Sequence, residues 1–213
     1  MIHAAGRLRL LELRRDLGAA HLGRDLLDRK REAILRTLVE RLPRVDELRR
    51  AVARDLASAR HALADAQCEL GRSAVDAAAL AQPPVASITV RETTIVGVAL
   101  PRIAGAFAPF RPRYGSASGS ERLDAAGAAF TALVPGLLAF ASEEVAVRRL
   151  RAALARIVRR LNALDTLVLP DLSEQVHAMA AALEEEERDE AVRRKQWRGG
   201  AGSAGGRAAI LQT

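Results

Sequence analysis

Two long apolar stripes with helical spacing, one in each half of the chain, constrain this sequence more than any other feature. The first runs through Leu10, Leu13, Leu17, Ala20, Leu27, Ile34 and Leu38, with Arg24 and Arg31 falling on the same line. It resumes after Pro43 at Val45, Leu48, Val52, Leu56, Ala59, Leu63, Ala66 and Leu70. The second runs through Leu150, Leu154, Ile157, Leu161, Leu164, Val168, Leu172, Val176, Met179 and Leu183. Steps of three and four place these residues on one face of a helix. A face sustained for so many turns has to be covered by a second helix packed lengthwise. The long helices expected around these stripes each cover about 70 residues, or roughly 100 Å. Antiparallel pairing of the two is the simplest way to hide both stripes. It puts the chain termini at one end and everything between the helices at the other.

Composition supports a helix pair over a globule. Aromatic residues are only 3 % of the 213. A compact core leans on aromatic bulk, whereas a two-helix seam closes on Leu, Val and Ala. The expected fold is therefore mainly α. A long antiparallel two-helix coiled coil forms from the N- and C-terminal helices, with a small β-hairpin and loop region in the middle. The expected segments are a first helix over 1–82, kinked near Pro43 where a backbone donor is missing; a middle region over 83–119; a second helix over 120–198; and a flexible tail over 199–213. Together they make one elongated domain.

Gln82-Pro83-Pro84 is expected to stop the first helix. Ala86 to Leu100 is crowded with β-branched residues and reads as one long strand or as a hairpin turning near Arg91-Glu92, ended by Pro101. Ala104 to Gly119 reads as a loop holding Phe107, Phe110 and Tyr114. These three either cover the loop's own small core or contact a partner, since aromatics are favoured in interface cores. Ser118 and Glu121 have capping-box spacing at the start of the second helix. Glu184 with Arg188, Asp189 with Arg193 and Glu190 with Arg194 stand one turn apart, acid first. Gly199-Gly200 is expected to break the helix.

The sequence offers no chemistry of its own. There is no phosphate-binding Gly-x-x-x-x-Gly-Lys motif. The Gly-x-Gly-x-x-Gly match at Gly200, Gly202 and Gly205 follows a charged helix and not a strand. His3, His21, His61 and His177 are scattered, and Cys68 is the single cysteine, so no thiolate metal site or disulfide is expected. Catalytic residues, cofactors and metal ligands are all expected to be none. Met1 to Asp16 lacks the apolar core of a secretory signal. Ala125 to Ser142 is uncharged and long, but Gly127, Pro135, Gly136 and its alanines make it a packing helix and not a membrane span.

The net charge is +7. Two lysines, Lys30 and Lys195, leave the remainder of the 33 basic residues as arginine. The arginines alternate with acids along the helices, so nucleic-acid binding is not expected.

Residues near both ends resemble a known family. Gly23, Leu26, Leu27, Lys30 and Arg31 match a Gly-x-x-Leu-Leu-x-x-Lys-Arg pattern. Arg159, Arg160, Asn162, Ala163, Leu164 and Asp165, then Leu169-Pro170, then the acidic-to-basic run from Glu184 to Lys195, match a second. Ile95 to Pro101 is similar to the family's strand segment. The chain thus resembles the D subunits of the V/A-type rotary ATPases, with Asp165 where the family usually has Glu and Ala191-Val192 in place of an aromatic pair.

That resemblance implies a non-catalytic central stalk. It would be held by a ring of catalytic and regulatory subunits, bound to the small F subunit of the central stalk, and seated on the protein capping the membrane rotor. It would sit in the cytoplasm, peripheral to the membrane, and pass rotation to proton or sodium translocation. The rival readings are a non-rotary coiled-coil scaffold and, less favoured, a basic nucleic-acid-binding coiled coil.

Overall fold

The computed structural model describes residues 2–83, 86–115 and 119–205, with side chains over 6–83, 87–115 and 119–196. Helix α1 spans Ile2–Leu70 and passes through Pro43 without ending. A short helix α2 follows at Arg72–Leu80. Strands β1 (Ala86–Ile95) and β2 (Val98–Phe107) form an antiparallel pair. Helix α3 spans Glu121–Ala163, a π-helical turn covers Leu164–Val168, and α4 spans Leu169–Gly205. The chain divides into two compact units, one made of 1–29 with 158–213 and the other of 30–157.

In the first unit the start of α1 pairs with α4 in antiparallel fashion. A Cβ built on Gly6 would stand 3.0 Å from Leu183 Cδ2, Arg7 bridges to Glu187 at 2.5 Å, and Arg24 meets Asp165. In the second unit the rest of α1 pairs with α3 in the same sense. Arg41 meets Glu143, Gly136 lies against Val52, and Glu69 faces Arg122. The seam is the one the spacing predicts. Leu13, Ile34, Leu38, Val45, Val52, Ala59 and Ala66 are buried from α1, and Leu150, Ile157, Leu161 and Leu183 from the C-terminal side. Val168 departs from it and is exposed, because it lies in the π-helical turn, where the wider winding rotates side chains off the α-helical line.

Several expectations are corrected. The first helix does not run to Gln82: it breaks at Gly71, whose φ of 81° and ψ of 154° belong to a region only glycine occupies readily. The hairpin turns at Val96-Gly97 and not at Arg91-Glu92. Both turn residues have positive φ, 52° and 71°, the signature of a type I′ turn. A Cβ on Gly97 would stand 3.2 Å from Lys30 Nζ, so glycine suits both the turn and its approach to α1.

Pro101 does not end the strand, and β2 continues to Phe107. A two-residue turn makes Ile95–Val98 a hydrogen-bonded pair, and such pairs alternate. Glu92–Pro101 therefore falls on a non-hydrogen-bonded pair, where the missing N–H of proline costs the ladder nothing.

Nor does the hairpin sit beyond the end of the helices. It is folded back along α3: the Ile103 N–H donates to Ser142 Oγ at 3.0 Å, and Arg149 donates to Ala99 O at 2.8 Å and to Glu92 at 2.9 Å. The contacts to Ile103 and Ala99 cover the outer edge of β2.

At the start of α3, Ser120 Oγ accepts from the Leu123 N–H at 3.2 Å, so Ser120 is the cap; Ser118 lies outside the described residues. Helix α4 is continuous through Gly199-Gly200 to Gly205, because a glycine weakens a helix by about 1 kcal/mol without forbidding it. Residues 206–213 of the expected tail lie outside the described ones.

By length and composition one stretch within Glu121–Gln196 would suffice to cross a membrane. In this fold 11 % of that stretch is buried: Ala126 and Leu133 are covered, Gly127 lies under the Phe110 ring, and Gly136 lies near Val52.

Val96 is β-branched and left-handed, which stores on the order of 1–2 kcal/mol of strain. The substitution Val96→Asn is expected to stabilise the hairpin by about 1 kcal/mol, read as a higher unfolding midpoint in urea; a lower one would contradict the turn geometry.

Candidate functional site

The two family-like segments place most of their residues in the first unit. On α1, Gly23 and Leu27 are half-buried while Leu26 is 67 % exposed. Across from them lies the stretch from Arg159 to Pro170. Leu161 is buried and Leu164 half-buried, while Arg159, Arg160, Asn162, Ala163, Asp165 and Pro170 are exposed. Lys30 and Arg31 fall in the second unit, both half-buried.

The π-helical turn at Leu164–Val168 has a local cause. Pro170 has no N–H for the carbonyl four residues back, and its ring crowds that carbonyl. Widening the preceding turn relieves the clash. The Leu169 N–H bonds to Leu164 O, one residue further back than in an α-helix, and Thr166 Oγ1 donates to Asn162 O at 2.6 Å.

One ion pair ties this turn to α1. Arg24 Nε donates to Asp165 Oδ1 at 3.1 Å, and a second guanidinium nitrogen lies 3.4 Å from Asp25. The hydrogen bond to Asp165, then the charge of Asp165 and the bond to Asp25, hold the Arg24 guanidinium above its ordinary value. Arg24 is the member that motif matching missed. Its signal was present: a cation on an otherwise apolar line, opposite an acid in the second motif.

A second feature was also missed. Leu8, Leu11, Leu22 and Leu26 are 60–73 % exposed. At 100° per residue they share a face of α1 opposite Leu13 and Leu17. Two exposed leucine pairs thus lie on one face of α1, with Arg15 and Gly18 between them.

In the second unit, the three aromatic residues of the middle segment behave differently from one another. Phe110 lies over Gly127 and helps line a cavity of about 210 Å³ with Leu63, Val75, Leu123 and Phe130. Tyr114 covers Gly119, and its hydroxyl donates to Asp124. Both therefore pack on their own chain. Phe107, packed on Gly105, stays 38 % exposed. Between the hairpin and the helices, Arg41 meets Glu143 at 2.6 Å, with Arg44 at 4.0 Å. Among the described residues no group of three or more His, Cys, Asp or Glu is arranged to hold a metal ion.

The family model for the ATP synthase D subunit matches residues 9–199 of this chain. The chain belongs to the ATP synthase D-subunit family. It is 31 % identical over 192 residues to the A-type ATP synthase D subunit of Methanopyrus kandleri, covering 89 % of this chain and 83 % of that one. It is 30 % identical to the A-type D subunit of Halobacterium salinarum, over 89 % of this chain and 86 % of the relative. It is 28 % identical to the V-type ATP synthase D subunit of Thermus thermophilus, over 91 % and 86 %.

The Tyr114 contact can be read directly, because the chain has one tyrosine. Burial, then the hydrogen bond to Asp124 and its charge, push the phenol well above the usual tyrosine range. The folded state therefore keeps its proton when the unfolded chain, near pH 10, loses it. The stabilising contribution is complete below about pH 10 and is lost as pH rises further. Ultraviolet titration is expected to show ionisation above the ordinary tyrosine value, falling towards it in Asp124→Asn. An unshifted titration in the native chain would remove the contact.

Proposed function

We propose that this chain is the non-catalytic central-stalk axle of a rotary ATPase. In this reading ATP is made or hydrolysed on a surrounding ring of catalytic and regulatory subunits. The axle passes rotation to the membrane rotor and so to proton or sodium movement. The observation that carries the reading is the exposed leucine stripe of α1 on a helix whose other face is already closed against α4. Such a helix pair presents apolar contacts outward while its own seam stays closed.

Leu8, Leu11, Leu22 and Leu26, together with the family-motif residues Arg159, Arg160 and Asn162, are the surface offered to the ring. The axle seam in this reading is Leu27 and Leu164, with Arg24 and Asp165 fixing its register. Phe107 is the aromatic available to a partner. The small F subunit of the stalk and the protein capping the membrane rotor are the remaining partners. The complex lies in the cytoplasm against the membrane, and neither nucleic acid nor a membrane span of this chain takes part. A net charge of +7 favours acidic partner surfaces, with a reach of about 8–10 Å at cellular salt.

Co-expression with the ring subunits tests this. The native chain is expected to co-purify with them, more weakly as salt rises. The pair Leu22→Asp and Leu26→Asp should cut ring binding at least tenfold while leaving helical content unchanged, since both residues lie outside the seam. A stable homodimer that ignores the ring would favour the scaffold reading. ATP hydrolysis by the purified chain alone would overturn the non-catalytic role.

A further inference from the structure

We propose that the outer edge of β1 is a docking edge that takes an extended, acidic segment of another subunit as a third strand. This rests on assembly of the chain into its complex and adds a surface and a binding mode to that reading. The two edges of the hairpin are treated differently. The edge of β2 is closed: Ile103 N–H is bonded to Ser142, Ala99 O to Arg149, and Pro101 between them has no N–H to satisfy. The edge of β1 is open. By the same alternation, the backbone groups of Ile88, Val90, Glu92 and Thr94 point away from β2, and none has a backbone partner there among the described residues.

Side chains 87–94 are all exposed, with Ile88 at 56 % and Val90 at 62 %. Free edges are usually blunted by charged side chains, proline or a bulge. From Ala86 to Ile95 there is no proline, the charges are Arg91 and Glu92, with Glu92 held by Arg149, and the register with β2 is unbroken over the strand. A row of unpaired N–H and C=O groups is satisfied by another extended backbone and not by a helix.

Charge selects the occupant. Arg91 stands directly across from Arg102, a like-charge pair that destabilises the hairpin. A third strand sets a residue beside Arg91 on the same face, and a carboxylate there neutralises the pair. A second copy of this chain would bring the same arginines and another charge of +7.

The test compares amide hydrogen exchange in the isolated chain and in the assembled complex. On assembly, the amides of Ile88, Val90, Glu92 and Thr94 are expected to slow roughly tenfold or more. Val90→Pro removes one outward N–H at the kind of position Pro101 already fills in β2. It should keep the hairpin amides of Thr93 and Ile95 protected and the chain assembled, yet abolish the slowing at Ile88, Glu92 and Thr94. Val90→Thr should preserve it, and Arg91→Glu should reduce it.

Equal exchange in both states overturns the proposal, as does slowing that survives Val90→Pro. Slowing that depends on the concentration of the isolated chain would assign the edge to a second copy and also overturn it. Failure of the native chain to join the complex would instead overturn the axle reading on which this rests.

Discussion

Closure of a narrow aliphatic seam between α1 and the C-terminal helices is the contact that the other features require. Ile34 and Leu150 are fully buried, and Ala59 and Ala66 leave no surface to water. Alanines at such points let helix backbones approach closely, so that modest side chains fill the space between them. Among the described residues nothing polar or charged is buried. Desolvation of charge therefore opposes the seam only locally, at half-buried Arg24 and Arg31, and apolar burial at about 25 cal/mol per Å² drives the pairing. The ion pairs lie outside. Arg7 with Glu187 and Arg24 with Asp165 are well exposed, so each adds little beyond about 1 kcal/mol. They fix which turn meets which; they do not supply the cohesion.

The hairpin is stable for a different reason. A two-stranded ribbon is marginal in water, and here α3 supplies what a third strand would. Ser142, which also bonds its own helix at Leu138 O, and Arg149 provide polar groups at the spacing of the open β2 edge. Buried Leu100 anchors the same strand through its side chain. Two helical side chains thus cap one edge of a sheet, while on the opposite edge the outward backbone groups have no backbone partner among the described residues.

Most of the helical architecture was legible in the sequence because periodicity reports directly on burial. Leu13, Leu38, Val45, Leu150, Ile157 and Leu183 lie where their spacing puts them. Family membership was legible too, from short fixed spacings near both ends. What escaped was set by backbone conformation or by contacts distant in sequence. Gly71 sits among helix-forming residues, and nothing local reveals that its φ is positive. Val96 carries strand propensity yet occupies a turn, so the hairpin was misplaced. Pro101 reads as a terminator unless the parity of the ladder is known, and that parity follows from the turn. Arg24 gains its meaning only from Asp165, 141 positions away. The exposed leucines of α1 were hidden by the stronger stripe on the opposite face.

The five residues from Leu164 to Val168 alter how α3 and α4 would carry a twisting load. An α-helix resists torsion through its regular ladder of backbone bonds. Where that ladder is widened, and Pro170 leaves one rung out, resistance is locally lower. Twist applied along this segment would therefore accumulate first between Asn162 and Pro170, beside the Arg24–Asp165 ion pair. The helix therefore has one locally irregular turn, and the proline sets its position.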